Sequence, residues 1–183
     1  SLAGFAGADV GPLLEVFAAE RDPTVKLNVL WSLGRLGVPG GRDTLRRFFD
    51  PKDPPLVRIA AVQAAGRSTA AAMHAFLEWV LAKGGPEERA EALQSLVCVG
   101  ARGDACVTAA RQALASRHDR LVLVGLLGLC IWDPEAALDE VRRILSAPAS
   151  TSWFLATHAL RYLKTDQSVP LLVRLLAVFR DSE

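Results

Sequence analysis

A segment of one shape returns along this chain about every 32 residues. It runs Asp22-Pro23-Thr24-Val25-Lys26, then Asp53-Pro54-Pro55-Leu56-Val57-Arg58, Pro86-Glu87-Glu88-Arg89, His118-Asp119-Arg120-Leu121-Val122 and, more loosely, Ala149-Ser150-Thr151-Ser152-Trp153. That period is the spacing of stacked helix pairs. A unit of this size cannot bury its apolar face alone, so each needs its neighbours, and the array presents a long surface rather than one deep cavity. An extended binding face therefore ranks above a catalytic pocket.

Each unit reads as a first helix A, a short turn and a second helix B. Asp22-Pro23 and Asp133-Pro134 are helix starts, because Asp accepts a backbone N–H at the N-cap and Pro needs none in the first turn. Gly37, Gly66 and Gly100 stand where A helices end, as residues free to take the left-handed cap. The B helices align on a triplet spaced i, i+3, i+4: Leu13/Val16/Phe17, Leu45/Phe48/Phe49, Leu77/Val80/Leu81, Ala110/Ala113/Leu114, Val141/Ile144/Leu145 and Leu172/Leu175/Leu176. That spacing is one buried helical stripe. The expected architecture is all-α: a right-handed α-solenoid of paired antiparallel helices, with an initial B helix and five A/B pairs forming one array over residues 1–183. Whether that array is a fragment of a longer chain is left open.

Asp22-Pro23-Thr24-Val25-Lys26 with Leu33-Gly34-Arg35-Leu36-Gly37, and Val57-Arg58-Ile59-Ala60-Ala61 with Ala64-Ala65-Gly66, resemble the short HEAT-like repeats also found in phycobilin lyase subunits. The resemblance runs from about Val10 to Phe179. It specifies the fold more than the function, since the family includes scaffolds, nucleic-acid binders and a few enzymes. The last two units depart from it: Leu123 and Trp153 occupy the column that holds Lys26, Arg58 and Arg89 upstream.

Lys and Arg number 21 against 20 Asp and Glu, for a formal charge of +1. No whole-molecule field draws this chain to nucleic acid or to an anionic membrane. The longest apolar run, Leu121 to Trp132, is too short to span a bilayer. Cys98, Cys106 and Cys130 form no close pair and read as buried thiols of a cytoplasmic, bacterial protein. His74, His118 and His158 fall in three different units, so each is expected on a helix surface or at a cap, and no metal or cofactor is implied. Glu87-Glu88 at a helix start are explained by the helix dipole. No nucleophile, base and orienting group recur together, so no catalytic residue is assigned.

Two surfaces are candidates for a partner. If the B helices line the concave side, Leu14-Glu15, Arg46-Arg47, Glu78-Trp79, Arg111-Gln112, Arg142-Arg143 and Val173-Arg174 face outward there. Arg47, Arg111, Arg143 and Arg174, with Trp79, would then form a ladder suited to an acidic peptide or a phosphate backbone. The competing reading is solvated arginines balanced by Asp43, Glu78, Asp139 and Glu140, with Trp79 tucked against the following helix. The second candidate is an apolar outer patch near Leu123 and Trp153, with dense core packing around Gly125 and Gly128 as its alternative. The function expected is a non-enzymatic scaffold for a protein or peptide, with the outer patch also open to use as an oligomer contact. The alternatives are a nucleic-acid binder like the DNA glycosylases of the HEAT-like family and a chromophore lyase-type subunit.

Overall fold

The computed structural model describes residues 11–36, 46, 49–67, 71–147, 152–163 and 165–180. Ten helices lie among them: α1 Gly11–Ala19, α2 Pro23–Leu36, α3 Pro55–Gly66, α4 Ala71–Lys83, α5 Pro86–Cys98, α6 Asp104–Leu114, α7 Asp119–Trp132, α8 Pro134–Ser146, α9 Trp153–Tyr162 and α10 Ser168–Arg180. The described residues contain no strand. The all-α expectation holds, while Gly37, Leu45, Arg47 and Phe48 lie outside the described residues.

The helix starts follow the capping chemistry. Asp22 Oδ1 accepts from Thr24 N at 2.7 Å, and Asp133 Oδ1 accepts from Ala136 N at 3.2 Å. His118 Nδ1 accepts from Leu121 N, so this histidine caps α7. At the end of α5, Gly100 takes a left-handed conformation with φ +68°, and Ala101 N donates back to Leu96 O at 3.0 Å. That pattern closes off orphan carbonyls. Gly66 does end α3, but without the left-handed conformation; a Cβ there would stand 2.3 Å from Ser95 Oγ, so it provides room for α5.

The chain divides into two compact units between Ala101 and Arg102. In the first, α2 packs on α3 and α3 on α5, with α1 against α2 and α4 against both α3 and α5. In the second, α7 packs on α9, with α6, α8 and α10 on these two. Each is a two-layer stack in which every second helix touches, the contact pattern of a helical-pair solenoid.

Ion pairs link the first layer. Lys26 Nζ lies 2.7 Å from Asp53 Oδ1, and Arg58 Nη2 lies 2.8 Å from Glu88 Oε1. Each cation is the fourth residue of its helix and reaches the start of the next first-layer helix. Glu88 does stand in the first turn of α5, and it has a further role there: it is buried and accepts from Arg58.

The second unit is stacked by apolar contact. One core cluster joins Leu126, Leu129 and Cys130 of α7 to Leu138, Val141 and Leu145 of α8 and to Trp153, Ala156 and Leu160 of α9. Gly125 lets α6 and α7 approach closely, since a Cβ there would meet the Ala113 Cβ at 2.7 Å. Cys106 and Cys130 are buried, but Cys98 is exposed, contrary to the expectation for all three. Burial pushes the Cys130 thiol up to about 11, and its Sγ lies 3.6 Å from the Ala159 carbonyl.

Candidate interaction surfaces

Of the B-helix candidates among the described residues, Trp79 is packed and the arginines are exposed. Trp79 is half-buried, stacked on Phe76 at 5.9 Å and edge-on to Phe49 at 5.5 Å, while the Arg46 guanidinium covers it at 5.1 Å. Trp79 is thus packed, but against Phe76 of its own helix and the preceding Arg46 and Phe49 rather than against the following helix. Arg111 and Arg143 are exposed but paired: Arg111 Nη2 donates to Asp133 Oδ2 at 2.7 Å, and Arg143 Nε donates to Glu140 Oε2 at 2.8 Å. The bond to Glu140 and its charge raise the Arg143 pKa further above its ordinary value. Arg142 is tied to Asp139 and Gln167. Arg174 is exposed on α10.

The Arg111–Asp133 contact also fixes the start of α8. The hydrogen bond from Arg111, with that from Ala136 N, holds the Asp133 carboxyl below the ordinary carboxylate value. A depressed carboxylate stabilises the fold fully above the unfolded Asp value, and the contribution fades as pH falls through the folded one. Asp133→Ala removes the cap and the pair together, at a cost of about 1–2 kcal/mol at neutral pH. Urea titrations across pH should show the gap from wild type closing in acid below the unfolded Asp value. A gap equally large there would mean that the Asp133 charge contributes nothing.

The outer-patch candidates separate in the structure. Trp153 is 7% exposed and belongs to the core, so its expected surface position is corrected. The cause is register: Trp153, Ala156 and Leu160 repeat the buried spacing of Val57, Ala60 and Ala64, so Trp153 stands in the column of Val57 and Phe154 in that of Arg58. Leu123 is half-buried and lines an open pocket of about 470 Å³ with Leu155, Phe154, Asp119, Arg120 and Ser152. Phe154 is 59% exposed, with its ring 4.3 Å from that of His158. The pocket lies at the starts of α7 and α9. Leu123, Phe154 and Leu155 give it apolar lining, and Asp119, Arg120 and Ser152 add charged and hydroxyl groups.

Sequence reasoning missed Phe154. The signal was present: Trp153, Ala156, Leu160 and Leu163 are spaced as one helical stripe, which turns Phe154 outward once Trp153 is inside. It also missed Trp31, an exposed indole covered by the Arg67 guanidinium at 4.0 Å. These two line a smaller, more polar pocket of about 270 Å³ beside Glu91 and the exposed Cys98.

Among the described residues no three His, Cys, Asp or Glu side chains converge as a metal-ligand set. No described helix is long and apolar enough to cross a membrane. A family model described as HEAT repeats matches residues 10–97. No curated protein matches the chain.

Proposed function

Because residues 10–97 match the HEAT-repeat model, we propose that the chain is a non-enzymatic scaffold that holds a partner protein by an apolar segment seated in the pocket between the starts of α7 and α9. HEAT repeats are generally protein-interaction scaffolds. The observation that carries the proposal is the pocket floor: Leu123, Leu155 and the outward-facing Phe154 leave apolar surface in water beside a concave volume. Pockets of a few hundred cubic ångströms with apolar floors and a few polar rim groups suit the aromatic or aliphatic anchors that dominate protein interfaces. Asp119, Arg120 and Ser152 supply rim groups for the backbone of a bound segment.

The B-helix face is the weaker site. Arg111, Arg142 and Arg143 already have carboxylate partners, so an acidic peptide or a phosphate backbone would have to displace those bonds first. The same ion pairs weigh against the nucleic-acid reading. The buried thiols of Cys106 and Cys130, which form no disulfide, support a reducing, cytoplasmic setting.

Panning a random peptide library against the whole chain tests the proposal. Selected peptides are expected to carry an apolar anchor and to bind the Phe154→Glu variant at least about ten-fold more weakly, or about 1.4 kcal/mol. Phe154 is exposed, so this change should leave the melting curve in place. Peptides that bind wild type and Phe154→Glu equally well would remove the pocket as the binding site.

A further inference from the structure

Exposed apolar and aromatic side chains interrupt the repeat in both kinds of helix. Among the B helices, Val16 of α1 and Leu172 and Leu176 of α10 stand in water, which corrects the expectation that their triplets are buried stripes. Among the A helices, Trp31 of α2 is 44% exposed, and it lines a pocket of mixed chemistry.

Trp31, Gln63 and Gln94 follow one another at 32 and 31 residues, so they occupy one column of the repeat. They lie on α2, α3 and α5, which pack in that order, and all three line the pocket of about 270 Å³. The column is therefore a short row across three helices, an indole followed by two carboxamides. Arg67, one turn beyond Gln63, lays its guanidinium 4.0 Å from the Trp31 ring and so fixes the indole. Gly66, where a side chain would meet Ser95, lets α3 and α5 close together at the pocket wall.

The chemistry of the row favours an uncharged backbone. Arg67 and Glu91 both line the pocket, so its charges oppose each other and suit neither an acidic nor a basic segment. Each carboxamide carries two N–H donors and a carbonyl acceptor, so it can serve a ligand's backbone beside a bond within the protein. Grooves lined by aromatic rings take proline-rich segments, whose carbonyls remain open to such donors.

The spacing favours one backbone conformation. Neighbouring packed helices stand about 8–10 Å apart. One three-residue turn of a polyproline II helix advances about 9 Å, so a segment laid across α2, α3 and α5 presents the same side to each. A β-strand presents the same side every ~6.6 Å and falls out of step. An α-helix keeps its carbonyls in its own ladder.

We infer that this row binds a proline-rich segment of a partner protein in the polyproline II conformation, with a proline ring on Trp31 and carbonyls one and two turns further on accepting from Gln63 and Gln94. These residues all lie in the first unit and none lines the α7–α9 pocket, so this inference stands or falls separately from that site.

The test titrates the whole chain into fluorescein-labelled decaproline, with anisotropy as the readout and a Gly/Ser peptide of equal length as the control. Saturable binding of decaproline is expected, about ten-fold or more tighter than that of the control. Trp31→Ala should weaken it by about ten-fold, and Gln63→Glu and Gln94→Glu by about three-fold each, because glutamate keeps the size and loses the donors. Gln94 is exposed, so Gln94→Glu preserves the fold even if Trp31→Ala does not. Phe154→Glu should bind as wild type does. No saturable binding, equal affinity for the control peptide, or unchanged affinity in both glutamate variants would overturn the proposal. So would a loss confined to Phe154→Glu, which would place the peptide in the α7–α9 pocket.

Discussion

Trp153→Ala should lower the stability of the second unit by about 3 kcal/mol. Truncating a buried Trp to Ala costs about 3–5 kcal/mol, and Trp153 is nearly fully enclosed within the cluster joining α7, α8 and α9. One effect runs the other way. The indole Nε1 is buried without a described hydrogen-bond partner, so removing it also removes an unsatisfied donor and offsets about 1 kcal/mol. The adjacent change Phe154→Ala should stay within about 0.5 kcal/mol, because that ring faces solvent. Urea unfolding followed by far-ultraviolet circular dichroism separates the two. Equal midpoints for the two variants would return Trp153 to the surface and undo the correction to the outer patch.

Glu88→Ala should cost the first unit a similar amount, about 3 kcal/mol, by a different mechanism. Glu88 and Arg58 are both largely enclosed, at 6% and 19% side-chain exposure. Deleting one partner of a buried pair leaves the other charge desolvated and uncompensated, which costs about 3–5 kcal/mol. Arg58 keeps some support here, since its Nη1 also donates to the Asp53 and Pro51 carbonyls, which favours the lower end. The double variant Arg58→Met with Glu88→Ala removes the stranded charge and should be more stable than Glu88→Ala alone. If the double change is instead additive, the pair does not link α3 to α5 in the way its geometry implies.

The repeat period and helix starts were legible because they depend on local chemistry. An Asp-Pro start needs only its own backbone, as Asp22 and Asp133 show, and a triplet such as Val141/Ile144/Leu145 needs only the helical pitch. Gly100 belongs with these, since its left-handed turn closes on α5 itself. Which exposed residues are available to a partner was not legible. The partners of Arg111 and Glu88 lie 22 and 30 residues away, and sequence spacing alone does not reveal that their charges are already engaged.

The outer patch illustrates the same division more finely. Placed in the column of Lys26, Arg58 and Arg89, Trp153 would be exposed; the buried stripe of α9 instead aligns it with Val57 and aligns Phe154 with Arg58. The sequence by itself determined that this is a stack of helix pairs, because capping, glycine conformation and a 3.6-residue stripe are properties of single segments. Only the tertiary structure decided which aromatic is core, which arginines are bound and which stripe is left open. A side chain's burial depends on the neighbouring helix, and a one-residue shift in register moves a position by about 100° about the axis.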